Sequence, residues 1–308
     1  MATILITGGT GLIGKALTNA LLEKNYKVIV LSRQTGDQQA RTNNLSFASW
    51  DINRQQIDKA AFENADYIIH LAGAGVADKR WTKKRKKEIV DSRVKGSELI
   101  VKALKEVPNN VKAVISASAI GWYGADPVIP NPTPFREDDP NDNAFLGETC
   151  KLWEESLEPI TKMGKRLVKL RTGIVLSKDG GALKEFKNPL RFGVATILGN
   201  GKQMISWIHI DDLVRLYMAA IGDQNMNGVY NAVAPVPVSN KKLTLQLARV
   251  QKGNFFIPVH VPSFILKMVL GEMSVEVLKS ATVSCDKIHY GGFVFLYPSI
   301  EAALANLK

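Results

Sequence analysis

The sequence predicts an α/β protein built on a doubly wound parallel sheet, with a smaller C-terminal α/β lobe. Two observations carry this prediction. Strand-like and helix-like segments alternate through the first half of the chain, which is typical of a parallel sheet with helices on both faces. The strand-like runs, such as "KVIVLS", are apolar at successive positions, as expected for strands buried on both sides.

The pattern places six strands and two clear helices in the first 177 residues. The first helix follows from apolar positions at helical spacing, Leu17, Ala20 and Leu21. A second, long amphipathic helix is expected over about residues 84–106, ending before Pro108. The six strands are predicted at residues 2–7, 27–32, 45–50, 67–73, 111–118 and 166–177.

The pattern loosens after residue 177, where short elements alternate with glycine turns. We therefore predict a main domain over residues 1–234, with segments of the substrate lobe after 178, and a small C-terminal domain over residues 235–308. Prolines at 235, 237, 258 and 262 mark the start of this tail. A ligand is expected between the lobe and the carboxyl ends of the strands.

Composition narrows the class of protein. No apolar run approaches the length of a membrane span, and the start of the chain lacks the features of a secretory signal. Two cysteines give no disulfide framework, so we expect a cytoplasmic protein with free thiols. The four scattered histidines suggest no metal site.

The chain is basic, with a formal net charge of +11. Seven Lys or Arg residues lie within residues 79–88, "KRWTKKRKKE". A solvated helix face explains this run, whereas a nucleic-acid patch is the less favoured alternative. The excess charge also suits an anionic cofactor or substrate.

The stretch "ILITGGTGLIG" carries glycines at G-x-x-G-x-x-G spacing between a strand and a helix, which is the context of a dinucleotide-binding loop. The first glycine allows a tight turn, the second a close approach to a pyrophosphate, and the third close packing of helix on strand. Free N–H groups at the helix start would face the phosphates. The predicted cofactor contacts in this loop are Gly8, Thr10, Gly11, Leu12, Ile13 and Gly14.

The end of the second predicted strand indicates which dinucleotide is preferred. NAD sites usually offer a carboxylate there, whereas this chain has Ser32 and Arg33. A guanidinium pairs well with a 2′-phosphate, so NADP(H) is favoured over NAD(H), although Arg33 as a plain surface residue is the alternative. Asp51 is expected near the adenine, or else as a turn or helix cap.

The order of "GGTGLIG", "HLAGAG", "SASAIGWYG" and "WIHIDDL" resembles that of the extended short-chain dehydrogenases, the sugar-nucleotide epimerase family. "KRW" followed by "SRV", and the tail "VPSFILKMVLGEM", resemble its atypical branch of epimerase-family proteins with an uncharacterised C-terminal domain. The resemblance covers essentially the whole chain. It implies a Rossmann-type NADP-binding domain but no assigned reaction.

The resemblance also implies roles for residues after the fourth and fifth strands. Leu71, Ala72 and Gly73 match the turn that lies under the cofactor, and Ser116 is assigned to the same cofactor site. Ser118 is the candidate for the hydroxyl that hydrogen-bonds substrate, with a purely structural role as the alternative.

Relatives carry Tyr-x-x-x-Lys on the next helix, and this chain departs from that pattern. Lys151 matches the lysine, which in relatives hydrogen-bonds the nicotinamide ribose and lowers the pKa of the tyrosine. Gly147 stands at the tyrosine position. Tyr123 is the nearest substitute, or else an aromatic wall of the pocket, and Glu148 and Cys150 are outside candidates.

Three further residues lie in "WIHIDDL" and one in "RTGIVLS". Asp211 and Asp212 are expected in the first turn of a helix, where they stabilise its dipole. His209 is expected to be a packed loop histidine, and Arg171 has a structural interpretation.

Two function hypotheses follow. The first is an NADP-dependent oxidoreductase or epimerase acting on a small polar substrate, with a nucleotide sugar as one candidate. The second is an NADP(H)-binding sensor or scaffold that has lost turnover with the tyrosine. A nucleic-acid-associated function is a distant third, no membrane association is expected, and the oligomeric state stays open.

Overall fold

The computed structural model describes residues 1–33 and 43–308, and in this part of the chain fourteen strands are present. They are β1 Thr3–Thr7, β2 Lys27–Ser32, β3 Leu45–Asp51, β4 Gln56–Ile57, β5 Tyr67–His70, β6 Ala113–Ala119, β7 Arg166–Thr172, β8 Ile174–Leu176, β9 Val194–Leu198, β10 Met204–Ile205, β11 Trp207–His209, β12 Gly228–Ala232, β13 Val238–Ser239 and β14 Ile257–Val261.

Eleven α-helices lie in the same described ranges, with short 3₁₀ turns at Ile120–Trp122, Glu158–Met163 and Gly271–Met273. The helices are α1 Leu12–Glu23, α2 Lys59–Glu63, α3 Lys83–Glu106, α4 Phe145–Glu155, α5 Ala182–Leu190, α6 Ile210–Gly222, α7 Asn240–Lys252, α8 Ser263–Leu270, α9 Ser274–Leu278, α10 Asp286–Tyr290 and α11 Ile300–Asn306. Among the helices of the described ranges, none combines the length and apolarity that a membrane span requires.

The main sheet has eight strands in the order β12-β7-β6-β5-β1-β2-β3-β4. All neighbours in it run parallel except β3 and β4, which pair antiparallel. The chain builds outward from β1 through β2 to β3, and then returns to add β5 on the other side of β1. The predicted doubly wound parallel sheet is therefore confirmed.

The alternation of side chains along β1 shows why this strand is apolar throughout. Ile4 and Ile6 belong to the core between the sheet and the layer of α1 and α6. Leu5 belongs to the core on the opposite face, under α3 and α4. All three side chains are fully buried, and each such burial contributes roughly 1.5–3 kcal/mol.

The sixth predicted strand proved to be two strands. The chain leaves the main sheet after Thr172, and β8 pairs with β11 instead. The break falls at Gly173, where a side chain would not fit, because a Cβ atom there would lie 2.6 Å from the carbonyl O of Ser206. The free edge beside β7 is taken by β12, in a segment that the sequence pattern left unassigned.

The smaller lobe has its own core, which includes Leu183, Leu190, Trp207, Leu243 and Leu304. Helices α5, α7 and α11 supply most of this core, beside the parallel pair of β9 and β14. The lobe thus draws residues from both sides of position 234, because α5 precedes β12 in the chain and α7 follows it.

Candidate functional site

The site lies where the strand order reverses, between β1 and β5. The connections that leave these two adjacent strands run to opposite sides of the sheet, which opens a crevice at their carboxyl ends. Ligands of open α/β sheets bind in such a crevice. The turn after β1 and the turn after β5 therefore form the floor of the candidate site.

The two turns touch through glycine. Gly8 has φ +71°, a conformation that side chains disfavour, and a Cβ atom there would lie 2.9 Å from the N of Ala72. A Cβ atom at Gly14 would overlap the carbonyl O of Gly8 and lie 2.6 Å from the Cα of Gly9. Both positions exclude any larger residue. The geometry therefore requires the tight turn at Gly8 and the close packing of the helix at Gly14 that the sequence predicts.

The first turn of α1 is open to an anion. Gly11 is the residue that precedes the helix, no side chain caps its N–H groups, and its first turn holds no acidic residue. The first N–H groups of a helix have no acceptor within the helix and carry a partial positive charge. The N–H groups that begin at Leu12 and Ile13 therefore fit a pyrophosphate, and Thr10 lies exposed beside them.

Buried hydrogen bonds that link Thr7, His70 and Ser97 lie under the crevice and hold the turn after β5 in place. The Thr7 hydroxyl accepts from the N–H groups of Leu71 and Ala72, both at 3.2 Å, and donates to His70 Nδ1 at 2.7 Å. The other His70 nitrogen lies 3.3 Å from the Ser97 hydroxyl. Burial lowers the pKa of His70 to about 3, so the ring is neutral and can accept from Thr7. Gly73, which follows Ala72 in this turn, is exposed.

The residues predicted to contact the adenosine part of the cofactor lie at the carboxyl ends of β2 and β3. Ser32 is half-buried and Arg33 is exposed, and the guanidinium makes no hydrogen bond or ion pair with another residue of the described ranges. Asp51 Oδ1 accepts from the N–H groups of Asn53 at 2.8 Å and Arg54 at 3.1 Å. Asp51 thus stabilises a turn, and its contact with the adenine stays a prediction.

A buried polar network fills the space behind the ends of β6, β7 and β12. Arg171 donates to both carboxylate oxygens of Glu154, at 2.8 and 3.1 Å. The Ser118 hydroxyl donates to the same carboxylate at 2.7 Å. The Tyr123 hydroxyl accepts from Arg171 at 3.0 Å and donates to Asn231 Oδ1 at 2.7 Å. Each member of this network is almost fully buried.

The network determines what Ser118 and Tyr123 can do. Burial raises the pKa of Tyr123 to about 12, so the phenol remains protonated near neutral pH. Neither hydroxyl hydrogen-bonds Lys151. Ser116 is fully buried within β6 and donates to the carbonyl O of Ala117 at 2.9 Å. Arg171 has the structural role that the sequence indicated.

Helix α4 explains the glycine at the tyrosine position. A Cβ atom on Gly147 would overlap the carbonyl O of Asp142 and lie 2.7 Å from its carbonyl C. No side chain fits there unless the backbone before the helix moves. Lys151 lies one turn later on the same face and is half-buried. Within the described ranges its ammonium makes no hydrogen bond or ion pair.

The two outside candidates on α4 are occupied by structural contacts. Cys150 Sγ donates to the carbonyl O of Ala119 at 3.7 Å, and burial raises the pKa of this thiol to about 12. Glu148 Oε1 accepts from Asn141 Nδ2 at 3.0 Å. Neither group is therefore poised as a nucleophile or base in this structure.

The start of α6 anchors the C-terminal tail. Asp211 and Asp212 lie in its first turn, as expected, and His209 Nδ1 accepts from the Asp211 N–H at 3.1 Å. The buried Asp212 carboxylate accepts from the N–H groups of Leu296 at 2.8 Å and Tyr297 at 2.9 Å. His209 is a packed histidine whose pKa is lowered by burial.

Comparison with known proteins identifies the family. An epimerase family protein of Staphylococcus saprophyticus, SSP1921, is 35% identical over 309 residues, covering 100% of this chain and 99% of the relative. The chain belongs to the epimerase family. An epimerase family protein of Staphylococcus aureus, SAR0825, is 32% identical over 307 residues, again covering 100% of this chain and 99% of the relative.

The family is also visible in segments of the chain. Residues 4–147 match the NAD dependent epimerase/dehydratase family. Residues 261–307 match a Domain of unknown function (DUF1731). The resemblance drawn from the sequence motifs, including the uncharacterised C-terminal domain, is confirmed.

Solved epimerase structures share the fold over nearly the whole chain. The human epimerase family protein SDR39U1 (isoform 2), solved with NADPH, has a TM-score of 0.84 at 26% identity, covering 99% of this chain and 98% of that one. A nucleoside-diphosphate sugar epimerase from Corynebacterium glutamicum has a TM-score of 0.76 at 31% identity, covering 99% of this chain and 57% of that one. The UDP-glucuronic acid 4-epimerase of Bacillus cereus, solved with NAD, shares the fold, with a TM-score of 0.77 at 20% identity over 98% and 96% of the two chains.

The structure brings the glycine loop and the turn at residues 71–73 together, as the sequence indicated, whereas the Ser118 and Tyr123 hydroxyls bond Glu154, Arg171 and Asn231 and not Lys151. Sequence reasoning missed Thr7, His70 and Glu154. The signal for the first two was that each apolar strand, β1 and β5, ends in a polar residue, and these two residues pair at the carboxyl end of the strands.

Proposed function

We propose that the chain is an NADP(H)-binding, epimerase-like oxidoreductase that acts on a small polar substrate, with a nucleotide sugar as the first candidate. The observation that carries the proposal is the cradle formed by Gly8, Gly11 and Gly14 against the turn at Leu71 and Ala72, under the uncapped start of α1. A bound nicotinamide would supply hydride transfer to and from a carbinol carbon. The N–H groups of the cradle would hold its pyrophosphate.

The preference for NADP(H) over NAD(H) rests on Arg33. In the described ranges, the end of β2 offers an exposed guanidinium and no carboxylate. A guanidinium fork favours a 2′-phosphate over the 2′-hydroxyl of NAD. The human relative was solved with NADPH, which supports the same choice.

The roles we propose for the other candidates follow from their contacts. Lys151 orients the nicotinamide end of the site, because its half-buried ammonium is unpaired among the described residues and so is available to a ligand. Ser118 and Tyr123 support the site by holding Glu154 and Arg171 in place.

A second candidate function is a cofactor-binding sensor or scaffold without turnover. The closed position at Gly147 favours it, because the family tyrosine cannot be accommodated. The two functions differ in one observable. With a panel of UDP-glucose, UDP-glucuronic acid and UDP-N-acetylglucosamine, an enzyme would convert some member over many turnovers, either to an epimer with the cofactor regenerated or to an oxidised sugar with NADP⁺ reduced. A sensor would bind the cofactor and leave both the sugars and the cofactor unchanged.

The test of the proposed function is a fluorescence titration with NADPH and NADH of the wild type, Arg33→Ala and a control, Arg249→Ala. Arg249 is an exposed arginine on α7, so its loss changes the net charge equally. NADPH should bind at micromolar or lower concentration, and Arg33→Ala should weaken it roughly 10- to 100-fold, the range for one lost charge-assisted contact. NADH binding should hardly change in either variant. Failure of both dinucleotides to bind the wild type would overturn the proposal.

A further inference from the structure

The place of the missing tyrosine side chain is occupied by Asp142. Its Cβ lies 2.8 Å from where a Cβ on Gly147 would be. Its carboxyl carbon lies 3.8 Å from where a Cβ on Gly124 would be, and Gly124 directly follows Tyr123. The carboxylate therefore lies between the start of α4 and the turn after β6, beside the position that a Cβ atom on Gly147 would take.

The backbone of Asp142 is held firmly while its carboxylate is not. Its N–H donates to the carbonyl O of Trp122 at 2.7 Å, and its carbonyl O accepts from Asn141 Nδ2 at 3.0 Å. Asn141 also binds Glu148, which fixes the segment to α4. The half-buried carboxylate itself makes no hydrogen bond or ion pair with any residue in 1–33 or 43–308. Its oxygens are thus available to a ligand.

Lys151 supplies the opposite charge on the same face of α4. Side chains on a helix lean towards its N-terminus, so the Lys151 side chain extends over the level of Gly147. Gly147 has no side chain to separate the two groups. The Asp142 carboxylate and the Lys151 ammonium therefore belong to the same face of α4, and neither has a hydrogen-bond or ion-pair partner among the described residues.

We propose that Asp142 takes the place of the family tyrosine as the proton acceptor of the site, with Lys151 as its counter-charge. In the oxidative direction the O–H bond of the substrate carbinol would break and its proton would pass to a carboxylate oxygen of Asp142. The electron pair of that bond would form the second C–O bond of the carbonyl, as the C–H bond breaks and its hydride is accepted by the nicotinamide of bound NADP⁺. In the reductive direction the carboxyl group returns the proton. This inference rests on the proposed function, because Asp142 can act as the proton acceptor only when a nicotinamide cofactor is bound in the crevice beside it.

The test uses the charge of the cofactor and needs no substrate. The ring of NADP⁺ is cationic and that of NADPH is neutral, so a carboxylate beside it favours the oxidised form. We would measure Kd for NADP⁺ and NADPH with the wild type, Asp142→Asn and Asp138→Asn. Asp138 is an exposed carboxylate in the same segment, so it matches the change in net charge. Asp142→Asn should raise the ratio of the NADP⁺ Kd to the NADPH Kd about three- to tenfold, and Asp138→Asn should leave it unchanged.

Lys151→Met provides a second variant with the opposite sign. Removing the cation should lower the same ratio, so the inference stays testable if Asp142→Asn does not fold. If both cofactors bind and neither variant moves the ratio, Asp142 only stabilises the start of α4 and the inference is wrong while the proposed function stands. If the wild type binds neither cofactor, both fail.

Discussion

Replacement of Gly147 by alanine tests whether the backbone of Asp142 closes the tyrosine position. Alanine is favoured over glycine inside a helix by roughly 1 kcal/mol, so Gly147→Ala would stabilise the chain if the position were open. The added Cβ instead overlaps the carbonyl O of Asp142. Relief requires the segment before α4 to move, because a carbonyl cannot rotate away as a side chain would. Overpacking of this kind costs about 1–3 kcal/mol, and the lost Asp142–Trp122 hydrogen bond about 1 kcal/mol more.

We therefore expect Gly147→Ala to lower the free energy of unfolding by about 1–3 kcal/mol after the gain in helix propensity is subtracted. The assay is urea unfolding followed by far-UV circular dichroism. Gly222→Ala is the matched control, because Gly222 is the last residue of α6 and a Cβ there meets nothing within 4 Å. The control should be unchanged or more stable by about 0.5 kcal/mol. A Gly147→Ala protein as stable as the wild type would refute the steric argument.

Two further predictions concern titration of buried groups. Because the pKa of His70 falls from 6.5 to about 3 on folding, the unfolded chain binds more protons between these values, and the contribution of His70 to stability is complete above pH 6.5 and lost as the pH falls. Between pH 7 and 5 the wild type should lose about 2 kcal/mol more than His70→Gln in urea unfolding, and equal slopes would contradict this. Burial raises the pKa of Cys150 to about 12 and of Cys285 to about 11, so iodoacetamide at pH 8 should alkylate the native chain far more slowly than the unfolded chain by mass spectrometry. Rapid native labelling of either thiol would show that it is exposed.

The parts of the site that depend on consecutive residues could be predicted from the sequence. Gly8 and Gly11 lie in the turn between β1 and α1, and Gly14 lies in the first turn of α1, so their spacing contains the geometry that the structure shows. Arg33 could be placed for the same reason, since it directly follows a strand. Local chemistry of this kind needs no knowledge of distant contacts.

The buried network could not be predicted in the same way. Glu154 lies on α4, whereas its partners Arg171 and Ser118 come from β7 and β6, and Tyr123 meets Asn231 across a separation of 108 residues. The spacing of polar residues along the chain does not indicate which of their side chains contact one another in the fold. Ser118 and Tyr123 therefore looked like members of the reacting centre, although each is held by a buried partner.

The departure at Gly147 was visible in the sequence, but its cause was not. A missing tyrosine indicates either lost or altered chemistry. The structure shows that Asp142, five residues earlier, fills the position that a Cβ atom on Gly147 would take, and that no other described residue binds its carboxylate.

The measurement that bears most directly on the account is the titration of the wild-type chain with NADPH and NADH. The account predicts saturable binding at micromolar concentration or below, with NADPH bound more tightly than NADH because of Arg33. Absence of binding by both would contradict it, and would mean that the glycine cradle between β1 and β5 serves a different ligand.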